Sequence, residues 1–214
     1  MHLSIIDIAA GGAALLAIWM CGIMRLSVTL KLLAAQTCCL AGIVGVLGWQ
    51  RHAWHLLILA GVVLFVKGLA IPAYLAWSAQ RLQVHRDMGV YLHPTPSLLL
   101  GCVILIVGFL LAPQFAVPAL GNPGAAGMAL TLVMTGMLVM MTRRLALSQV
   151  VGFLMLENGI FLYGVTQTQG MPLTIEMGMI LDILVAVMVA GIIIYRLNRS
   201  FEHIDVTQLR GLRH

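Results

Sequence analysis

The chain has 214 residues, of which 61% are hydrophobic and only 9% charged, with a mean hydropathy of +1.04. That balance excludes a soluble globular domain, leaves no room for a separate soluble module and predicts an all-α polytopic membrane protein. The formal net charge of +5 is no nucleic-acid signal, because the basic residues gather at the ends of apolar runs.

Those runs predict seven transmembrane helices, at about 4–23, 28–48, 54–79, 96–114, 124–142, 146–166 and 173–195. The first lacks a preceding basic region and reads as a retained helix rather than a cleaved signal peptide; Asp7, near its start, is expected to be solvated. In the second, Lys31 lies one turn in, where its stem can snorkel to the interface. The third carries Lys67 and Pro72. Proline removes the backbone bond to the Gly68 carbonyl, which predicts a kink that admits water beside Lys67. After the fourth comes an uncharged, turn-rich loop with Pro113, Pro118, Asn122, Pro123 and Gly124. The fifth holds Met134, Met137, Met140 and Met141, read as adaptable packing surface, with a Met-lined ion path as the alternative. The sixth contains Gly152-Phe153-Leu154-Met155-Leu156-Glu157-Asn158-Gly159, and the seventh Glu176 and Asp182. Cys21, Cys38, Cys39 and Cys102 all lie in apolar runs without CxxC spacing and are expected to be buried, inert thiols.

Ten of the twelve lysines and arginines fall on one side of this arrangement: Arg25, Lys31, Arg81, Arg86, Arg143, Arg144, Arg196, Arg199, Arg210 and Arg213. Arg51 lies on the other side and Lys67 within the membrane. The positive-inside rule then predicts a cytoplasmic C-terminus and, with seven crossings, an outside N-terminus. The loop at 113–124 separates a four-helix region, 1–120, from a three-helix region, 121–200, with a tail at 201–214.

Lys67, Glu157 and Asp182 can each be measured from the arginine closing its segment. Lys67 lies 14 residues before Arg81, Glu157 13 after Arg144 and Asp182 14 before Arg196. At about 1.5 Å per residue all three fall at one depth, roughly 20 Å from the same membrane face. Ionisable groups at such depth cost a few kcal/mol each and commonly mark an ion or proton path. An isolated carboxyl in hydrocarbon is neutral, so a carboxyl that trades protons needs a cation or a water chain beside it. The alternatives are a neutral Glu157 bonded to a neighbouring helix and a Lys67 that only pins helices together. Glu176, about 30 Å from that face, reads as a solvated interface residue or as the outer member of the path. The histidines show no metal-ligand spacing. Neither a phosphate loop nor a nucleophile elbow occurs, so the chain gives no sign of bond-making chemistry of its own.

The stretch Arg143-Arg144-Leu145 followed by Gly152 to Gly159, Lys67 with the later Pro72, the region of Glu176 and Asp182, and the tail Ile204-Asp205-Val206-Thr207-Gln208-Leu209-Arg210-Gly211-Leu212 resemble the hydrogenase-4 component E family of membrane proteins over nearly the whole chain. The last three helices and tail also resemble the K subunit of respiratory complex I and the C subunit of multisubunit sodium/proton antiporters. In the K subunit the first intramembrane glutamate would align near Leu154, one turn before Glu157, and an aspartate near Asp182 replaces the second. The resemblance implies a proton-path subunit of a hydrogenase-4 or formate-hydrogenlyase-like complex, with Glu157, Asp182, Lys67 and Glu176 on the path and Asn158, Pro72 and Lys31 in support. It implies no cofactor in this chain, NiFe and iron-sulfur clusters in partner subunits, and antiporter-like and hydrogenase-type subunits as partners in the lipid. A purely structural scaffold is the alternative. A stand-alone transporter fits poorly, because no inverted repeat is apparent.

Overall fold

The computed structural model describes residues 5–81, 91–117, 122–167 and 191. Among them every extended element is a helix: α1 (Ile5–Cys21), α2 (Leu26–Gln50), α3 (Trp54–Val63), a π-helical turn (Leu64–Ala70), α4 (Ile71–Arg81), α5 (Pro94–Phe115), α6 (Pro123–Thr142) and α7 (Ala146–Gln167). Six of the seven expected segments are thus observed, with ends shifted by a few residues; α3, the π turn and α4 run together as the third. The seventh segment, with Glu176 and Asp182, lies outside the described residues.

Among the described residues five spans are long and apolar enough to cross a membrane, and α1 is a shorter apolar helix of 17 residues. The 25 residues of α2 reach about 38 Å, which exceeds a hydrocarbon layer of about 30 Å. The surface has the character of a lipid-facing bundle rather than of a water-soluble one. Leu110, Phe65 and Trp54 stand 72%, 66% and 79% exposed. Unlike a soluble helix, α5 buries little except Ser97, Gly101, Gly108 and Ala112. We therefore describe the protein as an all-α polytopic membrane protein.

Two helices organise the bundle. α6 packs on α1, α5 and α7, while α2 packs on α1, on the third span and on α7. The α6–α7 seam is the tightest, and glycine makes it possible. A Cβ on Gly136 would lie 2.5 Å from the Leu156 nitrogen, and one on Gly159 would lie 2.7 Å from the Val133 nitrogen. Backbones approach this closely in membranes through small residues, because lipid leaves no hydrophobic drive for helix association.

Local chemistry fixes the ends. Asn122 caps α6, its Oδ1 accepting from the Gly124 and Ala125 N–H groups at 2.9 and 3.4 Å, with Pro123 opening the helix. Pro113, expected in the loop, sits inside the end of α5. Pro72 produces no sharp break. The Ile71 N–H reaches back to the Val66 carbonyl, five residues earlier, and the chain widens into the π turn that contains Lys67. The wider turn absorbs both the missing donor and the ring of Pro72.

Three expectations are corrected. Cys38 and Cys102 are exposed and Cys39 is partly buried, so only Cys21 is a buried thiol; apolar neighbours in a membrane helix do not imply protein on every side. Asp7 is half-buried and accepts a hydrogen bond from Asn122 Nδ2 at 2.5 Å, which ties α1 to the start of α6. Met134, Met137 and Met141 are exposed, and of the four only Met140 packs in the α6–α7 seam, against Gly152.

Candidate functional site

The centre of the bundle holds a buried ion pair. Lys67 Nζ lies 2.8 Å from Glu157 Oε1, and the two side chains are 4% and 2% exposed. Lys67 is presented by the π turn and Glu157 by the middle of α7. Gly152 and Gly159 of α7 lie against α6, and Glu157, five residues after the first and two before the second, turns away from that seam towards the third span. Phe161, one turn after Glu157, places its ring centroid 5.6 Å from the ammonium, within cation–π range. Two opposite charges at this separation attract strongly in a low-dielectric interior, and that attraction offsets the cost of removing them from water.

A second, neutral cluster adjoins the pair. Asn158, beside Glu157, donates through Nδ2 to Gln36 Oε1 at 3.0 Å and to Thr37 Oγ1 at 3.5 Å. Gln36 Nε2 in turn donates to the Ala13 carbonyl at 3.2 Å, and the Thr37 hydroxyl donates to the Leu33 carbonyl at 3.0 Å. Gln36, Thr37 and Asn158 are all buried. Polar side chains from α2 and α7, a backbone carbonyl of α1 and the ammonium of the third span therefore meet at one level. No motif in the sequence singles out Gln36, Thr37 or Phe161. A signal for Gln36 is nonetheless present: it is an amide in the middle of a run that needs none.

Lys67, Glu157 and Asn158 come together as described, and Pro72 borders the π turn. Lys31 is exposed on α2 and stands apart from the cluster. Asp182 and Glu176 lie outside the described residues. Two further polar anchors hold the bundle's ends. Arg143 is buried and donates through Nη2 to the Cys21 and Ile23 carbonyls at 2.9 Å each, closing the α6–α7 junction onto the α1–α2 junction. At the opposite end Gln167 Nε2 donates to the Asn122 carbonyl at 2.9 Å, and the Val117 N–H donates to Gln167 Oε1 at 3.2 Å. Among the described residues no three His, Cys, Asp or Glu side chains converge as a metal site.

Fold and site together define a helical membrane protein with a charged pair and an amide cluster sealed in its apolar interior. The chain belongs to the family of the uncharacterized protein Rv0085 of Mycobacterium tuberculosis: the two are 34% identical over 216 residues, covering 98% of this chain and 96% of that one. It is distantly homologous to Hydrogenase-4 component E of Escherichia coli K12, at 25% identity over 181 residues and 84% of each chain, and shows the same identity and coverage to the component of that name in Shigella flexneri. No protein-family model matches the chain, and no solved structure does.

Proposed function

We propose that the protein is a coupling subunit that carries part of a proton path in a hydrogenase-4-like, complex I-related membrane complex. The observation that carries this reading is the Lys67–Glu157 pair, an amine and a carboxyl held at 2.8 Å inside an apolar bundle. Such a pair is costly to build and is a natural place to hold a proton, because separating its members disfavours the charged form of each and so favours proton uptake by the carboxylate. Homology to a hydrogenase-4 component supports membership of a hydrogenase-type complex. On this reading, rearrangement in a redox subunit alters the pairing or hydration of Glu157. The proton then passes between Glu157 and the carboxyls of the seventh segment, Asp182 and Glu176, with the charge of Lys67 biasing the exchange. The metal clusters and electron transfer belong to partner subunits, and antiporter-like subunits receive the protons.

The scaffold reading has its own support in the glycine seam and the Arg143 clamp, which are devices of assembly. The two readings separate in the intact complex. With Glu157→Gln, the coupling reading expects an unchanged subunit composition on native gels and proton translocation per redox turnover largely lost. Normal translocation in an assembled Glu157→Gln complex refutes the proton-path role and leaves the scaffold.

A further inference from the structure

We propose that Gln36 is a positioning residue that holds Glu157 on Lys67, acting through Asn158. The inference deepens the proton-path reading, but it concerns only the geometry of the pair and can fail or survive without it. Three observations carry it. Gln36 is fully buried at the middle of α2 and is bonded on both sides, to the Ala13 carbonyl and to Asn158. Ala13 belongs to α1, so the anchor of this chain of bonds is main chain rather than a mobile side chain. Asn158 immediately precedes Gly159, which lies against the α6 backbone. The glycine contacts set how close α7 lies to α6, and the amide tie sets its rotation. Glu157, about 100° from Asn158 around the helix, then faces the π turn. Without the tie, α7 can turn or slide by a fraction of a residue, and the carboxylate leaves hydrogen-bonding range of the ammonium.

The composition makes the test direct. The chain has only the lysines Lys31 and Lys67 and the glutamates Glu157, Glu176 and Glu202. Full-length protein in lipid bilayers, labelled with nitrogen-15 at lysine Nζ and carbon-13 at glutamate Cδ, should show a short nitrogen–carbon coupling in solid-state NMR that both Lys67→Met and Glu157→Gln abolish. Gln36→Leu leaves the Asn158 amide short of its better acceptor. The double variant Gln36→Leu/Asn158→Leu removes the tie and leaves no buried amide unsatisfied. If the pair opens from hydrogen-bonding range to about twice that separation, the coupling, which falls as the inverse cube of distance, drops about eightfold. The exchange Gln36→Asn/Asn158→Gln keeps the amide pair and should keep the coupling. A double variant that elutes and melts like the wild type and retains the full coupling overturns the proposal. If the double variant does not fold, Gln36→Leu alone decides: a weakened coupling in a folded protein supports the tie, and a full coupling overturns it.

Discussion

Replacing Glu157 alone by leucine removes the carboxylate that lies 2.8 Å from the Lys67 amine, and replacing Lys67 alone by methionine removes the cation from beside the carboxylate. At the observed 2.8 Å, two unit charges attract by about 6 kcal/mol at an effective dielectric of about 20. The effective cost of desolvating each ion is several kcal/mol, so the completed pair is near break-even against well-packed apolar side chains, whereas losing one partner costs about 3–5 kcal/mol. Each single variant should therefore be destabilised by about 3–5 kcal/mol. The double variant Lys67→Met/Glu157→Leu should return to within about 1 kcal/mol of the wild type, because it removes both charges and keeps the volume.

The assay is unfolding of the purified full-length chain in mixed detergent micelles. It can be followed by the fluorescence of Trp19, Trp49, Trp54 and Trp77, with helix content from circular dichroism as a second probe. The decisive quantity is the interaction energy of the cycle. A double variant as unstable as the two singles added together, a loss of about 6–10 kcal/mol, would mean that Lys67 and Glu157 do not share one interaction, and the buried pair would be refuted. Assembly and coupling then separate cleanly. On the proposed function, the double variant should be stable enough to assemble yet should lose proton translocation.

The glycine seam makes a paired prediction. Gly136→Ala places a methyl where the Leu156 nitrogen lies 2.5 Å away and should destabilise the chain by about 1–3 kcal/mol through forced separation of α6 and α7. Gly42→Ala meets nothing within 4 Å and should be neutral or stabilising by up to about 1 kcal/mol; both are read as shifts of the same unfolding transition, and equal effects at the two positions would refute the close-approach argument. At the α6 start, Asn122→Ala loses the cap and the bond to Asp7 and should cost about 1–2 kcal/mol, with faster amide exchange at Gly124 and Ala125. Unchanged exchange there would remove Asn122 from its capping role.

Much of the helical layout was legible because apolar length is nearly all that a membrane span requires. The level of Lys67 and Glu157 was legible too, since the rise per residue is fixed. Their pairing was not, because depth carries no information about rotation around each helix. Asp7 was misread for a related reason: its partner, Asn122, lies 115 residues away, and a carboxyl near a helix start looks solvated until that partner is known. The cysteines failed differently. In a soluble protein an apolar environment means burial, but here the outside of α2 and α5 is apolar as well, so Cys38 and Cys102 keep apolar company while facing outward. Pro72 announced a disturbance in the third span, and only the backbone shows that it is taken up as a widened turn rather than a break.

The cluster has two halves with different chemistry, and the difference bears on what it can do. Gln36, Thr37 and Asn158 are neutral and bonded to fixed backbone, so their arrangement has one satisfied state. Lys67 and Glu157 are ionisable, and their pairing can be made or broken by a small movement of either carrier. The carrier of Lys67 is the π turn, whose hydrogen bonding differs by one residue from that of the α-helices on either side. A bundle that needed only a pin could place the amides alone at this level, at lower desolvation cost. Charge adds a dependence on proton occupancy that amides lack. The fixed half would then hold α7 in register while the ionisable half responds, which is the division of labour a coupling element requires.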